Sequence, residues 1–279
     1  VKRIAYNSYQ FKDARTAETV GGETWGGRSR VGNTTTGNEI TVSSGTHTEV
    51  YGGWTSGSGS TAAAEKRGDS ISNNVTVNGA ATVSGTVYGG YTDVTGGKAT
   101  GNTVAVEKNL NADLIGGKAL GEASGNTVTV GNVTVNSITG GDGTTTKDNT
   151  VNLEGGTTVT GTLTGGTAAN DTGNTLNVKG KDNKAGTIAN IQKMNFDATG
   201  LAKNDTMLEV TGTAQTAVNW ADLSATGTAA KPLTLLKNAN GINLSNYSGA
   251  VKSEITGGNT ETNIDVVKDS SNKITEITY

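Results

Sequence analysis

A Gly-Gly pair that returns about every 25 residues constrains this chain more than any other feature. The pairs begin at Gly26, Gly52, Gly89, Gly116, Gly140 and Gly165, so successive spacings are 26, 37, 27, 24 and 25 residues. After each pair come a polar stretch of variable length, an asparagine, and two aliphatic residues at alternating positions. The copies read Asn38-Glu39-Ile40-Thr41-Val42, Asn73-Asn74-Val75-Thr76-Val77, Asn102-Thr103-Val104-Ala105-Val106, Asn126-Thr127-Val128-Thr129-Val130, Asn149-Thr150-Val151-Asn152-Leu153 and Asn174-Thr175-Leu176-Asn177-Val178. Alternation with period two marks each copy as a half-buried strand. A second apolar position, at Val50, Val87, Leu114, Ile138, Leu163 and Ile188, marks another strand in each repeat.

Neither strand can bury its apolar face alone, and stacking equivalent strands of successive repeats removes the problem. Backbone hydrogen bonds then run from coil to coil and the aliphatics line up in internal columns. The reading is an all-β chain folded as a right-handed parallel β-helix, a solenoid with an irregular C-terminal cap. Three stretches follow: an N-terminal strand or cap segment over 1–21, β-helix repeats over 22–196, and a β-rich cap over 197–279, where the regular pattern lapses. Proline, which cannot donate to a ladder, occurs once, at Pro232.

Composition excludes other classes. Hydrophobic residues are 32% and aromatics 4%, too little for a thick globular core, while a net charge of −3 is too small for the usual disordered chain. That charge provides no basic footprint for nucleic acid. No run approaches the roughly 18 apolar residues of a membrane helix, so no membrane insertion is expected of this segment. The N-terminus from Val1 to Tyr6 lacks the apolar region of a signal peptide, so an exported chain is expected to be already processed. There is no cysteine, hence no disulfide, zinc thiolate or thiol nucleophile.

Each repeat asparagine precedes the first aliphatic by two and so shares its inward parity. Asn38, Asn73, Asn102, Asn126, Asn149 and Asn174 are expected to form an internal ladder, the alternative being six separate turns in which each amide bonds its own backbone. The glycine pairs are expected at tight corners, with positive φ or close backbone approach.

Val87-Tyr88-Gly89-Gly90-Tyr91, then Gly101-Asn102-Thr103-Val104, Lys193-Met194-Asn195-Phe196 and Asn204-Asp205-Thr206-Met207-Leu208 resemble passenger regions of bacterial autotransporters. The resemblance spans roughly 22 to 210. It implies a right-handed β-helix exported to the bacterial cell surface and used for adhesion or aggregation. No alternating-strand barrel follows Tyr279, so a passenger fragment, a cleaved passenger or a stand-alone relative is expected.

Chemistry is sparse. The one histidine, His47, lies in polar Ser44-Gly45-Thr46-His47-Thr48 and reads as an exposed loop or strand residue. A polysaccharide lyase or hydrolase needs clustered carboxylates, whereas the acids here are scattered. No catalytic residue, metal or cofactor is assigned. Gly140-Gly141-Asp142-Gly143 occurs once and misplaces its acid for a calcium roll, so it reads as a solvated loop. A lattice of outward Thr-x-Thr for ice is present in one copy only, at Thr127 and Thr129.

The aromatics offer a binding surface. Trp25, Tyr51 and Tyr88 precede the glycine pairs, while Trp54 and Tyr91 follow them, with Arg28 and Arg30 near one end. Stacked coils turn these into two adjacent short columns, suited either to glycan recognition or to stabilising ring-on-ring contact. The 37-residue repeat carries an insertion containing Arg67-Gly68-Asp69, which resembles the integrin-binding tripeptide; the bland reading is a solvated loop. The expected function is an extracellular, non-catalytic stalk or adhesin whose partner is a host surface protein or glycan. The alternatives are a filament subunit that self-associates end to end and a polysaccharide-acting enzyme.

Overall fold

The structure, a computed structural model, describes residues 18–20, 22–30, 34–57, 68–256 and 260–279. The regular elements among these are strands, apart from a single short 3-10 turn at Trp220–Asp222. No helix among the described residues is long and apolar enough to cross a membrane. The chain is a parallel β-helix, as the repeat spacing requires.

The coils build three sheets, the third of them formed by five coils only. The first contains the Gly-Gly strands, including Glu23–Arg30, Glu49–Ser56, Thr86–Thr92, Asp113–Ala119, Ser137–Asp142 and Thr158–Gly166. We call it the glycine sheet. The second, the valine sheet, stacks eight strands that begin with Glu39–Val42 and end with Leu223–Thr226. The third is narrow, five strands of two or three residues from Thr35–Thr36 to Thr145–Lys147. This third wall is absent from the sequence reading, because its inward residues, such as Thr35, Ser70 and Thr146, are small and polar.

Strict register makes the core. Ile40, Val75, Val104, Val128, Val151, Leu176, Met194 and Leu223 form one column of the valine sheet. Val42, Val77, Val106, Val130, Leu153, Val178, Phe196 and Ala225 form the next. All sixteen are 3% exposed or less. Val50, Val87, Leu114, Ile138, Leu163 and Ile188 face them from the glycine sheet. Burying each such side chain contributes about 1.5–3 kcal/mol before the entropy of ordering is charged against it.

The glycine pairs are not corners. They lie inside strands, and none of their twelve members has a positive φ. Their function is steric. In the first five pairs, a Cβ on the first glycine would meet the carbonyl oxygen of the next coil's pair, at 2.3 Å for Gly52 against Gly89 and 2.4 Å for Gly89 against Gly116. One on the second would strike the ladder amide, at 2.4 Å for Gly90 against Asn102. The corners are instead the residues just before each ladder asparagine: Gly37, Ser72, Gly101, Gly125, Asp148 and Gly173 all have φ between +53° and +67°. A left-handed residue turns the chain from the narrow sheet into the valine sheet, and glycine fills four of the six positions because it does so without a Cβ penalty.

Parallel stacking does not stop at 196. It continues through Leu223–Thr226 and Thr234–Asn238 to the pairing of Thr216–Asn219 with Ile242–Ser245. Only then does an antiparallel cap follow, formed by Lys252–Thr256, Thr260–Lys268 and Ile274–Thr278, the last of which pairs with Thr234–Asn238. Where glycine pairs and ladder asparagines give out, Met194, Phe196, Met207 and Leu208 fill the interior. At the other end Glu18–Val20 lies antiparallel against Glu23–Arg30. Both ends of the glycine sheet therefore carry antiparallel strands.

Candidate functional site

The six repeat asparagines are buried, at 5% exposure for Asn38 and 0% for the others, and bond from coil to coil. Nδ2 of Asn38 donates to Oδ1 of Asn73 at 2.6 Å, and the Asn73, Asn102, Asn126 and Asn149 amides repeat this to the next asparagine at 3.0–3.1 Å. The same Oδ1 also accepts the backbone N–H of the preceding asparagine, at 3.0–3.2 Å. The remaining Nδ2 proton goes to a narrow-sheet carbonyl, for example Ser70 from Asn102 and Ala99 from Asn126, both at 3.0 Å. Each interior amide is thus fully used, and every bond points the same way along the axis. Gln192 ends the row by accepting the Asn174 backbone N–H at 2.9 Å, while Asn174 Nδ2 is left without a partner.

On the outer face of the glycine sheet the aromatic columns assemble as their register dictates. Trp25 pairs with Tyr51 and Tyr51 with Tyr88; alongside them Arg28 pairs with Trp54 and Trp54 with Tyr91. Tyr51 and Tyr88 stack at 4.9 Å with planes 6° apart, and Tyr51 stacks on Trp54 at 5.1 Å. Tyr91 meets Tyr51 and Trp54 edge-on at 5.8 and 6.0 Å. The Arg28 guanidinium lies 4.2 Å over Trp54 and 5.0 Å from Trp25. Covered by one another, Tyr51 and Tyr88 are only 5% and 9% exposed although they sit on the outside. Trp25, Trp54 and Tyr91 remain half-buried and Arg28 exposed.

Burial raises the phenol pKa of Tyr51, helped by a hydrogen bond to the Glu49 carboxylate and by its charge. Burial likewise raises Tyr88 and, together with the charge of Asp93, Tyr91. The indole N–H groups of Trp25 and Trp54 are buried with no hydrogen-bond partner. Beyond the rings the column continues with Lys118, paired to Asp142 at 3.1 Å. Asp142 also accepts from Thr167 at 2.9 Å, and Gly140 to Asp142 form the end of a glycine-sheet strand rather than a loop.

Two further expectations change. Arg67 lies outside the described residues, but Gly68 is buried and Asp69 half-buried in the wall. The Gly68 carbonyl accepts from Thr92 at 2.7 Å, the Asp69 carbonyl from Thr55 at 2.8 Å, and the Asp69 carboxylate from the Lys98 N–H at 2.8 Å. A carboxylate so held is not extended toward a receptor. His47 is buried, not exposed: its register partner is Val83, and it is 5% accessible. Its Nε2 donates to the Ser44 carbonyl at 2.9 Å and its Nδ1 lies 2.7 Å from the Thr24 hydroxyl.

A second polar row escaped the sequence reading. Outside the valine sheet, Asn152 donates to Thr129, Asn177 to Asn152 and Asn195 to Asn177 at 2.8–3.0 Å, with Ser224 donating to Asn195 at 2.8 Å. It borders a shallow recess of about 340 Å³. The signal was the run of outward Asn at the same strand position. Among the described residues no three His, Asp or Glu side chains gather as a metal site. The chain matches no protein-family model, and no curated protein or solved structure is significantly similar to it.

Proposed function

We propose that this chain is an extracellular, non-catalytic surface stalk or adhesin of the kind to which autotransporter passengers belong. One observation carries the reading: five aromatic side chains and an exposed arginine cluster on the outer face of three adjacent coils of a solenoid whose other outward positions are mostly Thr, Asn and charged residues. Trp, Tyr and Arg are the residue types that dominate binding energy at interfaces, and rings already packed on each other lose little freedom on contact. The coil interior supports such use, since an amide ladder and register-locked aliphatics hold that face rigid.

The filament alternative draws less support, because antiparallel strands cover both ends of the glycine sheet where a further parallel coil would dock. The test is attachment of host cells and binding of matrix-protein and glycan arrays to the immobilised protein, with electron microscopy of the purified protein alongside. Saturable binding by uniform monomeric rods is expected. No binding across the arrays and no attachment would remove the adhesin reading, and end-to-end fibres would favour the filament.

A further inference from the structure

Asparagine followed by glycine occurs twice in the chain, at Asn78-Gly79 and Asn240-Gly241, and the fold treats the two pairs in opposite ways. Such a pair matters chemically, because the backbone nitrogen of a residue without a Cβ is the least hindered nucleophile an asparagine side-chain carbonyl can meet. At the second pair both reacting groups are engaged. The Gly241 N–H donates to the Asn238 carbonyl at 3.0 Å, and Asn240 Nδ2 donates to the Gly212 carbonyl at 2.9 Å. At the first pair neither is: among the described residues the Gly79 N–H has no acceptor and the Asn78 side-chain amide has no partner. Asn78 is half-buried and Gly79 exposed, at the corner where the chain leaves the valine-sheet strand Asn74–Val77. The turn that Asn78 opens is closed by a long bond, from the Ala81 N–H to the Asn78 carbonyl at 3.4 Å.

We propose that Asn78 is a site of spontaneous deamidation, and that its hydrogen bonds protect Asn240 from the same reaction. The Gly79 nitrogen attacks Cγ of Asn78. A C–N bond forms to close a succinimide, the Cγ–Nδ2 bond breaks, and ammonia leaves with the proton that Gly79 gives up. Water then opens the imide at either carbonyl, leaving aspartate or, with the main chain rerouted through Cγ, isoaspartate; nothing is oxidised or reduced. The corner has no slack for isoaspartate. The Asn78 and Ala80 N–H groups donate to the Val42 and Ser43 carbonyls at 3.0 and 2.8 Å, and a Cβ on Gly79 would lie 2.5 Å from that Ser43 oxygen. An extra main-chain carbon therefore loosens this corner. The new charge also stands one step past the Val77–Val106 register pair, beside Glu107 of the next coil, where like charges repel.

The experiment incubates the whole chain in mildly alkaline buffer, folded and in denaturant, and follows both sites by peptide mass spectrometry. The slowing that folding causes should be about tenfold or more greater at Asn240 than at Asn78, because two hydrogen bonds must open before Asn240 reacts. Asn78→Gln, whose longer side chain closes the ring poorly, should remove the fast conversion from the folded protein. In aged wild type, hydrogen exchange at the Ala80 amide should be faster than in fresh protein. Equal slowing at the two sites, greater slowing at Asn78, or no conversion of Asn78 in the folded protein would each overturn the proposal. Unchanged exchange at Ala80 after conversion would overturn the loosening of the corner.

Discussion

Replacing Asn126 by alanine tests the internal ladder where it is most connected. Its Oδ1 accepts two donors from Asn102, the backbone N–H and Nδ2, both at 3.0 Å, and its own Nδ2 donates to Asn149 Oδ1 and to the Ala99 carbonyl. Truncation orphans both Asn102 donors at a site with no solvent access, while Asn149 Oδ1 keeps the backbone N–H of residue 126. Each buried unsatisfied group costs about 1–3 kcal/mol, so a loss of about 2–5 kcal/mol follows. Asn38 stands at the row's end and supplies one side-chain bond to Asn73, since its backbone N–H survives the change. Asn38→Ala should therefore cost about 1 kcal/mol. Denaturant unfolding read by hydrogen exchange suits the case, because repeat arrays depart from two-state behaviour and local opening must be seen coil by coil. Exchange at the Asn102 amide should accelerate strongly in Asn126→Ala. If the two variants differ by less than about 0.5 kcal/mol, the amides act separately and the ladder adds nothing.

The remaining predictions concern the glycines, the phenols and the tripeptide. Gly89→Ala should destabilise by about 1–3 kcal/mol or prevent folding, since its Cβ would fall 2.4 Å from the Gly116 carbonyl oxygen, which belongs to backbone; a wild-type melting temperature would refute the steric account. Tyr51, Tyr88 and Tyr91 hold their protons above the ordinary phenol pKa, so above about pH 10 the unfolded chain releases protons that the folded chain keeps. Stability is thus intact below pH 10 and falls as pH rises further, which thermal melts and phenolate absorbance can follow; a flat profile would contradict the burial of these rings. Asp69→Ala should loosen the wall at Lys98, seen as faster exchange of that amide, and leave attachment of integrin-bearing cells unchanged.

Much of this architecture was readable because the informative residues repeat with their parity intact. Val104, Val128 and Val151 alternate with polar neighbours, and Asn102, Asn126 and Asn149 share their parity, so the columns and the ladder follow from position alone. The narrow sheet was not readable, since strands such as Ala99–Thr100 are too short to show a period and bury small residues. The glycine pairs misled for a physical reason: glycine reports either a backbone angle or a lack of room, and only the stacked neighbours reveal which. His47 misled because Ser44, Thr46 and Thr48 suggest solvent, whereas its register with Val83 points it inward. For the aromatic face, the columns were legible from spacing. The near-complete covering of Tyr51 and Tyr88 was not, because it depends on how rings of successive coils pack.

The contact function of that face is tested most directly by measuring attachment of host cells to immobilised wild type and to a variant carrying Trp25→Ser, Trp54→Ser and Tyr91→Ser. A control variant should change the outward Thr139 and Thr164, which share the glycine sheet two coils or more beyond Tyr88. With both variants folded by near-UV dichroism and hydrogen exchange, the ring-stripped protein should lose attachment while the control keeps it. Equal attachment by all three proteins would show that the aromatic face only stabilises the first coils and that contact lies elsewhere.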